Sequence, residues 1–443
     1  MQDTALKARA ALAAAQGRPG ISAQICGDVV EAEVQHRAAL TEAGCTLGPL
    51  HGLPIVVKDI IDLAGHPTRA GSALRADQPA ATADANVVAR LRAAGAITVA
   101  KSKTVEFAFG GWGTNASQGT PNNPWKPDEP HTPGGSSSGT GAAVGGRFVP
   151  AGLGTDTGGS VRIPAAFCGC VGLKTSIGMV SRSGVVPLSD SFDTVGPLTD
   201  TVQRAAEMLE AMMGEDRTDP TTVGRSRGDP LADLDRGVQG LRIGVVQDDA
   251  LYQATPDVMA AFHDAQRMLA EAGATLVPFS LPKDFATYQG LATAIISSDA
   301  YAFHAEMADS NATPLNDTTR TRILACRDMT AADRVRAQRS RRADISAYLH
   351  AMDRLDAVVL PTAPTNAIPL STVNEDDYTV SLYTRPGNYL DLCGLSVPVG
   401  VSPAGLPTAV QIMARQFDDP LALRIGKTLE DVRGAFPNPP SLA

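Results

Sequence analysis

Helix-like and strand-like segments alternate along much of this 443-residue chain. The helical pattern in "ANVVARLRAAGA" is followed at once by the strand-like "AITVAK". Further along, "LRIGVV" leads into a helical pattern from Pro256 to Ala272 and then into "ATLVPF". Such alternation predicts a mostly parallel or mixed sheet that is covered by helices.

Several helix boundaries can also be predicted. An alanine-rich helix is expected to end near Gly17, and a second helix is expected over Asp28 to Ala43. Asp84 is placed to cap the helix that precedes "AITVAK", and Gly95 is placed to end it.

Two polar stretches are interpreted as surface. The region from about Thr201 to Gly240 is rich in charged residues, glycine and proline, and it predicts a polar excursion from the core. The charged cluster from Arg334 to Asp344 indicates the solvated face of a helix.

The overall composition excludes several classes of protein. A net charge of -9 and a pI near 5.3 argue against a surface that binds nucleic acid or anionic lipid directly. No apolar run approaches the roughly 18 residues that span a bilayer, and the N-terminus lacks the pattern of a secretory signal. The cysteines have no framework spacing, so we expect them to be reduced and the protein to be cytoplasmic.

The stretch "GTDTGGSVRIPAAFCG" places Ser160 directly after two glycines and shortly before an arginine and a proline. A serine needs a base before it can act as a nucleophile. The nearest histidines along the chain are His131 and His263, so the sequence neighbourhood of Ser160 supplies none. Ser160 is therefore either an ordinary loop residue or a nucleophile whose base is not histidine.

Two upstream stretches supply the missing chemistry. "HTPGGSSSGTGAAVGG" carries three consecutive serines, and "HGLPIVVKDIIDLAG" places Lys58 in an apolar, strand-like run. Desolvation lowers the pKa of a lysine and makes its neutral amine available as a base. Taken alone, such a lysine is expected to pair with a carboxylate such as Asp59 or Asp62, and such a serine-rich stretch to form a flexible turn. Together the stretches offer a nucleophile, a relay hydroxyl and a base.

In that order, "GLPIVVKD", "PGGSSSGTGAA" and "GLGTDTGGSVRIPAAFCGCVGLK" resemble the amidase signature family of Ser–Ser–Lys hydrolases. The resemblance continues through "SFDTVGPL" and "CGLSVPVG" and covers about residues 20 to 430. Length alone would suggest two or three domains. The resemblance implies instead one α/β domain over residues 1–443, with a central mixed β-sheet that is covered by helices on both faces.

Within that single domain, the resemblance implies that successive parts of the chain have different structural roles. N-terminal helices are expected over about residues 1–45 and the catalytic core over about residues 50–200. The remainder is expected to complete the sheet and the substrate pocket.

Roles follow from the resemblance position by position. Ser160 would be the acyl-forming nucleophile and Lys58 the base. Ser136, the first serine after the glycine pair, would be the relay, and the Gly135–Ser136 peptide would be cis. The N–H groups of residues 157–160 would converge on the oxyanion, with Thr157, Gly158 and Gly159 as donors besides the nucleophile itself. No metal or organic cofactor is required by this chemistry.

Four further residues are expected near the site, in less specific roles. Trp112 is either a wall of the acyl pocket or a core residue, and Ser137 either holds the loop or supports the relay. Arg162 resembles an arginine that pairs with a substrate carboxylate in some relatives, but an ion pair that fixes the loop is the alternative. Asp156 is expected to fix the loop through hydrogen bonds.

The function implied is an amidohydrolase that acts on a small carboxamide, urea-like or carbamate-like substrate, as a monomer or a homodimer. The alternative is the glutamine-hydrolysing subunit of a glutamyl-tRNA amidotransferase. That subunit binds the amine of glutamine through an aspartate that lies about seven residues before the asparagine of an "NLAGLP" segment. Here Thr384 lies near the first position and Asp391 near the second.

A competing G-x-S-x-G nucleophile elbow, with Ser137 as the nucleophile of an α/β-hydrolase, lacks the preceding strand that such an elbow needs.

Overall fold

The computed structural model describes residues 2–18 and 20–440. Eleven strands within these residues form one sheet, in the order β1-β3-β2-β4-β6-β5-β10-β11-β9-β7-β8. The strands are β1 (Ser22–Ile25), β2 (Pro54–Lys58), β3 (Ile97–Ser102), β4 (Ala151–Asp156), β5 (Val171–Lys174), β6 (Thr194–Thr199), β7 (Arg242–Val246), β8 (Thr275–Phe279), β9 (Ala357–Pro361), β10 (Cys393–Val401) and β11 (Pro407–Ala414).

Helices flank this sheet. Those in the described ranges are α1 (Gln2–Gln16), α2 (Gly27–Glu42), α3 (Asn86–Ala93), α4 (Ser138–Gly145), α5 (Arg162–Cys168), α6 (Val202–Met212), α7 (Pro256–Glu271), α8 (Phe285–Asp309), α9 (Asp317–Leu324), α10 (Ala331–Ala351), α11 (Arg385–Tyr389) and α12 (Asp419–Arg433). The predicted single α/β domain with a large mixed sheet is confirmed. Among the residues described, no helix has the length and apolar character that crossing a bilayer requires.

The sheet combines parallel and antiparallel pairing. β3, β2 and β4 are parallel neighbours, as are β9, β7 and β8, while the strands between these two groups pair antiparallel. In the first group Ile55 lies opposite Ala151 and Val57 lies opposite Leu153. The carboxyl ends of β2 and β4 therefore meet at one edge of the sheet, where ligands bind in open α/β folds.

The central strands β2 and β4 are buried on both faces of the sheet. Every residue of β2 and of β4 is buried, as is expected for strands that helices cover on both sides. Lys58 ends β2 and Asp156 ends β4, so two ionisable side chains lie at the end of an otherwise apolar layer.

The helix predicted after Asp84 is present, but its start was predicted wrongly. α3 begins at Asn86, and its N-cap residue, Ala85, has no side-chain cap. Asp84 instead accepts a hydrogen bond from the Ala64 N–H and pairs with Arg92. Its carboxylate is used for tertiary contacts and not for the helix end.

The prediction of a polar excursion from Thr201 to Gly240 is wrong for its first part. Thr201 caps α6 by accepting from the Arg204 N–H at 3.2 Å. Val202, Leu209 and Met212 lie on one buried face of that helix. The spacing of these residues fits a helical period, and the charged residues that follow obscure it.

The helix predicted around residues 334–344 is present as part of α10, but it is not solvated throughout. Arg334 pairs with Asp299 at 2.6 Å. Asp344 is buried and accepts from the Tyr389 hydroxyl at 2.8 Å. A run of charges therefore supplies inward-facing ion pairs as well as a polar surface.

Close glycine packing joins α4 to α5. A Cβ on Gly141 would lie 2.7 Å from Pro164 Cβ, and a Cβ on Gly145 would lie 2.2 Å from the Cys168 carbonyl oxygen. Only glycine permits this approach of two backbones. The contact fixes α4 against α5, and the first residue of α4, Ser138, belongs to the triple serine.

We predict that Gly145→Ala destabilises the fold by about 1–3 kcal/mol, because the added methyl overlaps the backbone of α5. Gly290→Ala is the matched control, since Gly290 lies within α8 and has no atom within 4 Å of its added Cβ. It should stabilise the protein by about 0.5–1 kcal/mol. Urea denaturation measures both values. Equal stability of Gly145→Ala and the wild type would show that α4 and α5 separate without cost.

Candidate active site

Lys58 is fully buried and is held by hydroxyl groups. Its Nζ donates to Ser136 Oγ at 2.7 Å and to Thr155 Oγ1 at 2.8 Å. Within the part of the chain that the structure describes, no carboxylate forms an ion pair with this side chain. The lysine is thus positioned by neutral partners that do not favour the ammonium form.

Burial lowers the pKa of Lys58 to about 7, although Asp193 and Asp156 favour the charged form from a distance. Near neutral pH a large fraction of this side chain is therefore a free amine. A neutral amine 2.7 Å from the Ser136 hydroxyl can accept its proton.

The carboxylate nearest in sequence has another partner. Asp59 pairs with Lys101 Nζ at 2.9 Å, and both side chains are almost completely buried. Successive residues at a strand end point in opposite directions, which separates Asp59 from Lys58. The structure therefore does not show the pairing that a lysine in this run, taken alone, was expected to have.

The triple-serine segment is fixed by its backbone. The Gly135–Ser136 peptide is cis, as the resemblance predicted. The Ser136 carbonyl oxygen accepts from Val105 N at 3.2 Å and from Thr104 Oγ1 at 3.0 Å. These contacts hold the Ser136 side chain against Lys58.

Ser137 connects the triple serine to Ser160. The Ser137 N–H donates to the Ser160 carbonyl oxygen at 3.2 Å. Its Oγ donates to the Thr155 carbonyl oxygen at 3.4 Å. Ser137 is buried and holds the loop, which is one of the two roles expected of it.

Ser160 lies in the turn between β4 and α5, in residues 157–161, here called the Ser160 loop. Asp156 supports this loop from beneath, since its carboxylate accepts from Gly159 N at 2.8 Å and Val161 N at 3.2 Å. Gly159 has a φ of 123°, and a Cβ there would lie 2.2 Å from Thr384 Oγ1. The turn therefore requires glycine at position 159.

Arg162 neutralises Asp156. Its Nε and Nη2 each donate to the carboxylate at 3.0 Å, and neither side chain is exposed. Its remaining N–H groups reach Gln411 Oε1 and Asn388 Oδ1. Burial alone would raise the pKa of Asp156, but Arg162 holds it below its usual range. This geometry favours the loop-fixing alternative for Arg162, since four of its five N–H groups have partners and the side chain is completely buried.

The backbone of the Ser160 loop presents unused donors. In the described ranges, the N–H groups of Thr157, Gly158 and Ser160 make no hydrogen bond, whereas that of Gly159 is taken by Asp156. The Thr157 hydroxyl donates to Asp193 at 2.5 Å, which fixes the side chain beside the loop. Three of the four predicted oxyanion donors are free to bind an oxygen atom.

Ser160 faces a small cavity with a volume of about 30 Å³. Trp112 forms part of its wall and is anchored by donation from Nε1 to the Asp377 carbonyl oxygen at 2.9 Å. A second cavity of about 280 Å³ shares Thr157 and Leu188 with the first. The Ser160 hydroxyl makes no hydrogen bond within the described part of the chain.

Three residues of this region were not predicted. Thr155 lies in the same motif as Asp156, and strand alternation would have placed it on the Lys58 side. Asn388 donates to Asp156 Oδ1 at 2.9 Å, whereas Asp391, three residues later, pairs with Arg341. Arg385 lines the cavity at Ser160, and no sequence pattern marked it.

The geometry can be compared with known proteins. The family model described as Amidase matches residues 8–423. The chain is 36% identical over 433 residues to a glutamyl-tRNA(Gln) amidotransferase subunit from Acidobacterium capsulatum, and the match covers 92% of this chain and 90% of that protein.

Two solved structures superpose on nearly the whole chain. The native peptide amidase from Stenotrophomonas maltophilia has a TM-score of 0.83 at 30% identity and covers 98% of this chain and 95% of its own. An inhibitor-bound vestigial protein complex, related to the origins of an s-triazine catabolic enzyme, has a TM-score of 0.89 at 30% identity. It covers 97% of this chain and 94% of its own.

We predict that the reactivity of Ser160 follows the titration of Lys58. The rate of covalent labelling by a fluorophosphonate should rise with pH and reach half its maximum near pH 7, because the ammonium form present below that pH accepts no proton. Intact-protein mass spectrometry measures the rate, and Lys58→Met should remove this pH dependence. A half-maximum above pH 9 would show that Lys58 stays charged in the fold.

Proposed function

Because this chain belongs to the amidase family, we propose that it is a free-standing amidohydrolase that forms an acyl-enzyme on Ser160. As a family member it is an amidase-signature hydrolase of C–N bonds. The proposed substrates are small carboxamides or related urea-like and carbamate-like compounds. The observation that carries the proposal is the 2.7 Å hydrogen bond between Lys58 and Ser136, made by a buried lysine without a carboxylate partner.

Acylation starts with a proton transfer. Neutral Lys58 takes the proton of Ser136, and Ser136 takes that of Ser160. The Ser160 oxygen then forms a C–O bond to the substrate carbonyl carbon. The carbonyl oxygen becomes negative and is stabilised by the N–H groups of Thr157, Gly158 and Ser160, each such donor being worth about 2.7–4 kcal/mol.

In the remaining steps of the reaction, the proton taken up by Lys58 is passed to the leaving group. Collapse of the tetrahedral intermediate breaks the C–N bond, and Ser136 donates a proton to the leaving nitrogen while the Lys58 ammonium reprotonates Ser136. A water molecule then attacks the acyl-enzyme along the same proton path. The products are a carboxylic acid and ammonia or an amine, and Ser160 is regenerated.

Of the two proton transfers between protein side chains, that from Ser160 to Ser136 has no hydrogen bond among the described residues. The two loops are nevertheless neighbours, since the Ser137 N–H donates to the Ser160 carbonyl oxygen at 3.2 Å. Catalytic hydrogen bonds often tighten only when substrate is bound. The proposal therefore places this contact in the substrate complex.

The alternative function is glutamine hydrolysis within an amidotransferase complex, and the similarity to the glutamyl-tRNA(Gln) amidotransferase proteins favours it. Such a protein holds the glutamine amine with an aspartate, and Thr384 lies near that position here. Thr384 Oγ1 donates to the Gly158 carbonyl oxygen at 2.8 Å, so it supports the Ser160 loop. Asp377, a carboxylate on the cavity wall, accepts from the Thr379 N–H at 2.7 Å through Oδ1. We therefore favour the free-standing enzyme.

We also propose that the protein acts in the cytoplasm. The structure contains six unpaired cysteines, of which Cys168, Cys170 and Cys393 are buried close to the central sheet. Reduced thiols of this kind are typical of cytoplasmic proteins.

We predict that Ser160→Ala lowers kcat at least about 10⁴-fold without loss of folding, because the acyl-enzyme cannot form. Lys58→Ala should be nearly as damaging and Ser136→Ala somewhat less so, since water can replace a relay hydroxyl. Ser138→Ala is the matched control within the same triple serine and should retain activity. Steady-state kinetics and the mass of the trapped acyl-enzyme check these outcomes. A larger loss in Ser138→Ala than in Ser136→Ala would move the relay role.

We predict that the purified single chain releases ammonia from simple amides without any partner protein. Glutamine should be a poorer substrate than its analogue without the α-amine, because the neutral Thr384 lies near the position of the aspartate that holds this amine in an amidotransferase subunit. Ammonia release, followed for both compounds, measures the preference. Activity restricted to glutamine and dependent on added partner proteins would establish the alternative instead.

A further inference from the structure

Arg385 carries a buried positive charge at the cavity of Ser160. It is only 7% exposed, and it lies on the wall of that cavity with Ser160 and Gly158. Its Nη1 donates to Thr293 Oγ1, whereas its Nε is buried without any hydrogen-bond partner. Its Nη2 makes no hydrogen bond among the described residues. One edge of the guanidinium is therefore unused.

No anion in the described protein compensates this charge. Within residues 2–18 and 20–440, no Asp or Glu carboxylate forms an ion pair with Arg385. A close charged neighbour is another cation, since Arg385 and Arg322 lie 4.8 Å and 5.4 Å from the centre of the same Tyr378 ring. Burial lowers the pKa of Arg385 to about 10, so it remains protonated at neutral pH. Buried charges are normally paired.

The other buried arginines of this region use both of their Nη groups in hydrogen bonds. Arg162 is neutralised by Asp156 and also donates to Gln411 and Asn388. Arg322 donates from both Nη1 and Nη2 to backbone carbonyl oxygens, and only its Nε lacks a partner. Arg385 is thus the guanidinium of this site whose Nε and Nη2 are both available.

The free edge lies against the Ser160 loop. A Cβ on Gly158 would lie 3.1 Å from Arg385 Cγ and 3.2 Å from Arg385 Nε. The preceding residue, Thr384, donates to the Gly158 carbonyl oxygen at 2.8 Å. A substrate acylating Ser160 would therefore have its acyl chain within reach of this guanidinium.

We propose that the substrate carries a carboxylate on its acyl portion, which Arg385 binds through parallel N–H bonds from Nε and Nη2. A side-on guanidinium fork matches the two oxygens of a carboxylate. The close approach of Arg385 to the Ser160 loop limits the acyl chain, because a Cβ on Gly158 would lie only 3.2 Å from Arg385 Nε. The substrate class is then the monoamides of short dicarboxylic acids. This inference rests on the proposed amidohydrolase function.

The test compares amides that differ only in charge. The monoamide of succinic acid is matched by butanamide, and the monoamide of malonic acid by propanamide, because a methyl group replaces the carboxylate in each neutral compound. The wild-type enzyme should favour the anionic member by at least about 100-fold in kcat/KM. A ratio near one, with Ser160 still acylated by the neutral amides, would overturn this inference while the proposed function stands.

Substitutions of Arg385 test whether this side chain causes the preference for anionic amides. Arg385→Gln should reduce the anionic-to-neutral ratio about 100-fold, and Arg385→Lys, which keeps the charge but loses the fork, should give an intermediate ratio. Arg341→Gln is the matched control, because Arg341 pairs with Asp391 outside the cavity, and it should leave the ratio unchanged. An unchanged ratio in a folded Arg385→Gln protein would contradict the assignment.

Binding can be measured without turnover. Calorimetry with the succinic monoamide should detect binding to Ser160→Ala and at least about 100-fold weaker binding to Ser160→Ala/Arg385→Gln. Equal affinities would overturn the carboxylate site. Absence of an acyl-enzyme with every amide would instead contradict the proposed function, and the binding comparison would still decide the role of Arg385.

Discussion

The buried ion pair between Asp156 and Arg162 organises this molecule. Asp156 accepts from two backbone N–H groups of the Ser160 loop and from Arg162, so the turn is fixed on a fully desolvated carboxylate. Arg162 extends the contact to Gln411 on β11 and to Asn388 on α11. One ion pair thereby joins the N-terminal strands to the C-terminal part of the sheet. Removing either charge would leave the other buried and unpaired, which costs more than the pair itself contributes.

Three buried lysines near the sheet show how partner choice sets chemical role. Lys101 is paired with Asp59, and Lys174 donates to the carbonyl oxygens of Thr175 and Leu392. Lys58 alone among these three has hydroxyl partners only, which stabilise its charge least. Burial lowers the pKa of all three, but Lys101 also has a carboxylate partner and Lys174 has carbonyl partners, whereas Lys58 contacts the Ser136 hydroxyl without either. We therefore propose that the same side chain is structural at two positions and acts as a base at the third.

Sequence reasoning located the parts of the site that local motifs encode. Lys58, Ser136 and Ser160 each lie in a long, specific stretch, and the alternation of helix-like and strand-like segments predicted a mixed sheet. In the structure, that sheet brings the ends of β2 and β4 together. The contacts that it missed join distant segments. Arg162 and Asn388 are 226 residues apart, and no local pattern indicates that an amide at position 388 meets that guanidinium. Arg385 was missed for the same reason, since its burial and its lack of an acidic partner exist only in the folded chain.

The candidate chemistry and the candidate selectivity lie on separate parts of the polypeptide. Lys58, Ser136 and Ser160 all belong to the first 170 residues, whereas Tyr378 and Arg385 come from the segment before β10. Substitution of Tyr378 or Arg385 changes the cavity wall, whereas Thr384 and Asn388 of the same segment hold the Ser160 loop and Asp156. When the catalytic residues and a specificity residue lie on different segments, substitutions in the cavity wall can change the substrate while the catalytic residues stay the same. Proteins that share one fold can therefore act on very different substrates.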